Sequence, residues 1–118
     1  MSEEPDELSQ VHGMPVIRAA IEVDATNAQD LRSAILAAIS TGTERLTVDM
    51  SETEFCDSTG LNVLVRAHKR LEEAGGELRL VATQPTLLRI FKVTGMDTMF
   101  RLYASLDDAL VAAPKPTQ

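Results

Sequence analysis

Hydrophobic and polar residues alternate between two periods along this chain. MPVIRAAIEVD (14–24) is mostly apolar and β-branched and reads as one strand, with LSQVH (8–12) pairing before it. In TNAQDLRSAILAAIS (26–40) the period lengthens, and Leu31, Ile35, Ala38 and Ile39 fall on one helical face. Thr26 or Asn27 can cap that helix, and Asp30 suits its first turn. RLTVDM (45–50) has the length and apolarity of a strand. Leu61, Leu64, Val65, His68 and Leu71 then mark a helix over 58–74, with Asn62, Arg66, Lys69, Arg70 and Glu73 mostly outside. Gly75 and Gly76 end it, and ELRLVA (77–82) reads as the next strand. Leu87, Ile90, Phe91 and Thr94 set out a third helix stopped near Gly95. LYASLDDALVAA closes with a strand stub and a last helix capped by Ser105.

Strands alternating with helices require crossover connections and therefore a largely parallel sheet. The expected fold is α/β: one domain over 10–113, with a mixed, mostly parallel sheet of four to five strands and about four helices. The acidic start (1–9) and the proline-containing end (114–118) read as frayed. The pattern leaves open whether the helices cover one face of the sheet or both.

Composition narrows the function classes. The chain has 118 residues, enough for one core and little more. With aromatics at 3% and no Trp, that core must be built from aliphatic side chains and Met. A formal charge of −7 opposes binding to phosphate backbones and anionic membranes. No apolar stretch approaches the roughly 20 residues that span a bilayer, and MSEEPDELSQ lacks the form of a signal peptide. The single cysteine, Cys56, allows no internal disulfide and fits a reducing cytosol.

The chemistry concentrates in FCDSTGL (55–61), between the strand 45–50 and the helix 58–74. Open sheets of this kind place functional loops at that junction, and a helix N-terminus offers free backbone N–H groups. Three readings compete. Asp57 or Ser58 can cap the helix while Gly60 allows close packing. Ser58 or Cys56 can be a nucleophile, but a nucleophile needs a base within hydrogen-bonding reach. The two histidines fit that poorly: His68 lies some three turns along the helix from Ser58, and His12 sits on an edge strand or loop. The third reading is a hydroxyl presented for modification. Metal-ligand spacing, GxSxG, GxxxxGK[ST] and GxGxxG are all absent from the sequence, so no cofactor or metal is expected.

Several features in order resemble the STAS domain of bacterial anti-sigma factor antagonists. They are the strand ending in Asp49, the Phe55-x-Asp57-Ser58-Thr59-Gly60-Leu61 turn, and Gly75-Gly76 before a strand. Phe91-x-x-Thr94-Gly95-Met96 and Ser105-Leu-Asp-Asp-Ala-Leu follow, and upstream IEVDATNAQDL resembles the family's acidic loop with Asp24 at the acid position. The chain departs from the pattern at Ile21 and Asn62, where glycine is usual. The resemblance implies a cytoplasmic, non-enzymatic phosphoswitch. The unphosphorylated antagonist binds an anti-sigma factor that is also a serine kinase; phosphorylation releases it, and a PP2C-type phosphatase reverses the mark. Carried over, the modified residue is Ser58, with Thr59 second. Asp24, Asp57, Ser58, Thr59 and Asn62 contact the partner, and the chain is a monomer that forms hetero-complexes. The alternative is a non-switching STAS subunit of a lipid-transport ATPase or signalling scaffold.

Overall fold

The computed structural model describes residues 8–11 and 14–114. Its elements, in order, are β1 (Leu8–Val11), β2 (Met14–Arg18), β3 (Glu22–Val23), α1 (Ala28–Ser40), β4 (Arg45–Met50), β5 (Phe55–Cys56), α2 (Ser58–Glu73), β6 (Glu77–Ala82), α3 (Pro85–Thr94), β7 (Arg101–Tyr103) and α4 (Leu106–Val111). A single 3-10 turn, Met96–Thr98, joins α3 to β7. The main sheet has the order β1-β2-β4-β6-β7, parallel except for the antiparallel edge strand β1. This is the expected mixed α/β domain. Of the segments read as frayed, 1–9 and 114–118, only Leu8, Ser9 and Pro114 are among the described residues, and Leu8 and Ser9 open β1. His12 lies outside them.

Both faces of the sheet are covered, because alternate side chains of a strand point opposite ways. Leu46, Val48, Met50, Leu78, Leu80 and Ala82 face one side and pack with Leu31 and Ile35 of α1, Leu61, Leu64 and Leu71 of α2, and Leu87 and Phe91 of α3. Thr47, Glu77, Arg79 and Val81 face the other side, where Ala109 and Leu110 of α4 close over them. That second layer is thin and carries charge. Arg79, wholly buried, donates through Nε to Glu77 Oε2 at 2.6 Å, and Arg101 Nη1 reaches Glu77 Oε1 at 3.1 Å. Arg79 also donates to the carbonyls of Ala109 and Ala113, at 3.2 Å for the latter. Ala109 lies in the last turn of α4, whose carbonyls have no partner within the helix, so a strand arginine completes that helix end.

The reading of 14–24 as one strand is corrected. Ala19 N still donates to Asp49 O at 3.0 Å, but Ala20 O is taken by the hydroxyl of the buried Thr53 at 2.8 Å. That contact pulls the chain off the main sheet, and Glu22–Val23 pairs with Phe55–Cys56 in a separate two-stranded sheet. Two-residue strands are too short to carry a period, so nothing in the pattern announces β5.

The two glycines after α2 act differently. Gly75 takes the left-handed conformation at φ 82°, while a Cβ on Gly76 would stand 1.9 Å from the carbonyl oxygen of Glu44. The adjacent β4–β6 register begins at Arg45↔Glu77, so neither backbone can retreat without losing a rung. We expect Gly76→Ala to cost about 2–3 kcal/mol in urea unfolding, and a loss below about 0.5 kcal/mol would show that the approach is not tight.

Candidate functional site

The small sheet builds the site. Its strands run parallel with Val23 opposite Cys56, so the next residue of each, Asp24 and Asp57, emerge side by side about 5 Å apart. Asp57 N donates to Val23 O at 3.0 Å and holds that spacing. Each acid then leads into a helix, Asp24 through a turn into α1 and Asp57 directly into α2. A Cβ on Gly60 would come within 2.7 Å of both Cys56 Sγ and Val23 Cγ1, so the first turn of α2 seats against this sheet only as glycine.

Asp57 is the helix cap. Its backbone is extended and its Oδ1 accepts from Gly60 N at 3.0 Å. Ser58 is therefore the first residue of α2, and its side chain and that of Thr59 are exposed. A cap of this kind contributes about 1 kcal/mol, and asparagine can replace aspartate in it. Asp57→Ala is expected to lower urea-unfolding stability by about that amount and Asp57→Asn by less than about 0.5 kcal/mol. Equal losses would mean that charge, not capping, is what the carboxylate supplies.

Asp24 shapes its own turn. Its Oδ1 accepts from the hydroxyl of Thr26 and from the Thr26 backbone N–H (2.9 Å), and those bonds, the hydroxyl's first, hold its pKa below the usual carboxylate value. Its backbone carbonyl receives Asn27 N and Ala28 N at 3.1 and 2.8 Å. Asn27 occupies the cap position of α1 without capping by its side chain, which instead accepts from Asp24 N at 3.0 Å and donates to Glu22 O at 2.8 Å. The expected caps thus serve the turn, and α1 begins at Ala28.

Cys56 is buried, and desolvation first, then the neighbouring Asp57 charge, push its thiol up to about 12. The thiolate is the nucleophile of cysteine chemistry, and at neutral pH this sulfur stays protonated. His68 is half-buried on the far part of α2, with its ring edge-on to Phe100 at 5.7 Å and Nε2 3.5 Å from Glu72. It packs as the spacing suggested, away from Ser58. Among the described residues no three His, Cys, Asp or Glu side chains converge as metal ligands.

All five residues expected to meet a partner, Asp24, Asp57, Ser58, Thr59 and Asn62, lie at this one end of the fold, with Asn62 one turn beyond Thr59 on an exposed face. Two features were not expected. Ile21 and Phe55 are 54% and 44% exposed, and their backbones meet at the rim of the site, where Phe55 N lies 3.4 Å from Ile21 O. Arg32 of α1 and Arg66 of α2 both line a groove of about 260 Å³ between the two helices, with Thr59 and Asn62 also in its wall. Arg66 is exposed on its helix, as its spacing suggested, and α1 adds the second wall. The spacing 59-62-63-66 marks one stripe of α2, but that α1 lies beside it is not written in that spacing.

Comparison with known proteins places these features in context. The STAS domain model matches residues 7–109. An anti-sigma-B factor antagonist of Bacillus subtilis is 30% identical over 88 residues, covering 75% of this chain and 80% of that protein. The crystal structure of an anti-sigma factor antagonist from Mycobacterium paratuberculosis superposes with a TM-score of 0.79 at 33% identity, covering 92% of this chain and 96% of that one. SpoIIAA of Bacillus in its phosphorylated form shares the fold, with a TM-score of 0.68 at 24% identity over 88% of this chain and 95% of that one. No helix among the described residues is long and apolar enough to cross a membrane.

Proposed function

The chain belongs to the STAS domain family, and from that premise we propose that it is an anti-sigma factor antagonist switched at Ser58. In this reading the unphosphorylated chain binds an anti-sigma factor that is also a serine kinase, which frees a sigma factor for transcription. Phosphorylation of Ser58 releases the partner, and a PP2C-type phosphatase restores binding. The observation that carries the reading is the exposed Ser58 hydroxyl at the start of α2, with the neighbouring Asp57 carboxylate occupied as the cap. A kinase needs a hydroxyl that it can approach in line with a bound phosphate and that no internal hydrogen bond consumes. Asp24 beside Asp57 supplies negative charge to the partner surface, and exposed Ile21 and Phe55 supply apolar contact at its edge. Thr59 and Asn62 extend the same surface along α2.

The test mixes the chain with candidate kinase anti-sigma factors in the presence of ATP. Phosphate transfer is expected to wild type and not to Ser58→Ala, while Ser58→Ala keeps its binding. Undiminished transfer to Ser58→Ala, lost instead on Thr59→Ala, would move the switch by one residue. Binding that ignores both substitutions and ATP would reject the switch.

A further inference from the structure

We propose that the groove between α1 and α2 is a phosphate receptor for this chain's own Thr59, with Arg32 and Arg66 holding a phosphoryl group on that hydroxyl. The groove is lined from one side by Ala25 in the turn before α1 with Ala28, Gln29 and Arg32 of α1, and from the other by positions 59, 62, 63 and 66 of α2, which share one helical stripe. No carboxylate lines it, although the chain carries a net −7. Neither Arg32 nor Arg66 is in an ion pair among the described residues. The Cα–Cβ bonds of a helix lean towards its N-terminus, which for Arg66 is the end of α2 where Thr59 stands. Gln29 and Asn62 add amide donors to the same walls. Two guanidinium forks around one phosphate balance its roughly −1.5 to −2 charge.

Ser58 is one residue earlier, about 100° round the helix, and does not line the groove. The two adjacent hydroxyls are thereby inequivalent. A phosphate on Ser58 stands out as bare charge, and one on Thr59 is drawn back onto its own protein and neutralised. This inference rests on the proposed switch for the enzyme that would add the phosphate. Its chemistry does not, because the modified residue can be installed directly.

Chains carrying genetically encoded phosphothreonine at 59 or phosphoserine at 58 would be titrated by ³¹P NMR. The second phosphate pKa, about 6 for a free side chain, is expected to lie about half to one unit lower at 59 than at 58, as opposite charge nearby favours the dianion. Arg32→Gln with Arg66→Gln should erase that difference while leaving the value at 58 in place, and amide spectra of the double variant would verify its fold. Equal values at 58 and 59, or a low value at 59 that survives loss of both arginines, would overturn the proposal. A free-phosphate site is separated by adding millimolar inorganic phosphate to the unmodified chain. No saturable shift of the Gln29 and Asn62 amides is expected, since tethering supplies the effective concentration; saturation would overturn the assignment to Thr59. A failed kinase assay with a positive titration would reject the switch alone.

Discussion

Glu77→Ala will lower the stability of this domain by about 3–5 kcal/mol, the loss typical when one partner of a buried ion pair is removed. Glu77 is 4% exposed, and it holds both the wholly buried Arg79 and Arg101. Without the carboxylate, Arg79 keeps only carbonyl partners at Ala109 and Ala113, and a guanidinium charge remains in a layer between sheet and helix. The Coulombic attraction that had offset its desolvation is gone. Urea unfolding of the single variant and of Glu77→Ala with Arg79→Met separates the causes. If the stranded charge dominates, the double variant is more stable than the single one, because methionine fills much of the volume and needs no partner. A single-variant loss below about 1 kcal/mol, the range of exposed pairs, would refute the buried-pair account. Hydrogen exchange on α4 should rise most in the double variant, which removes the arginine that anchors α4 through its terminal carbonyl.

The same layer shows why some of the fold was legible and some was not. Helix faces carry their own period, so spacing alone marks Leu31, Ile35, Leu64, Leu71, Leu87 and Phe91 as core, and all six are buried. A parallel sheet followed from the alternation of elements, since parallel neighbours need crossovers. Coverage of the second face was not legible, because in ELRLVA the charged positions alternate with apolar ones as they would on a solvated face. Only α4, six residues long, turns that face inward, and all six residues of β6 are buried. Capping by Ser105, whose hydroxyl accepts from Asp108 N at 3.0 Å, was readable from residue type, while residue type narrowed the cap of α2 only to Asp57 or Ser58. The break at Ala19–Ile21 was not, because it depends on Thr53, 33 residues away from Ala20. The site divides in the same way. The acids and hydroxyls stand out locally, while the register that sets Asp24 beside Asp57 belongs to a pairing two residues long.

On the proposed switch, phosphate on Ser58 will weaken binding to a kinase anti-sigma factor by about a hundredfold or more, a cost of about 2.7 kcal/mol. For transfer to occur, the Ser58 oxygen must stand against the nucleotide phosphates and the carboxylate that accepts its proton. Once transferred, the phosphate faces those same negative groups. At about 5 Å and an effective dielectric of about 20, each unit of charge meets a repulsion of about 3 kcal/mol. The opposing effect inside this chain is smaller: the positive end of α2 returns about 0.3–1 kcal/mol. The partner-facing repulsion therefore wins, and release needs no refolding. Calorimetric titration of the unmodified and 58-phosphorylated chains should show the affinity loss, and Ser58→Asp a smaller one because it adds a single charge. Raising salt should recover part of it, as far as the repelling charges remain accessible to counterions. Amide shifts in Arg45–Met50 and Glu77–Ala82 should stay fixed on phosphorylation, while those of 57–62 move. Shifts spread through both strands would mean that the phosphate acts by rebuilding the fold, and an unchanged affinity would mean that it does not act at this surface.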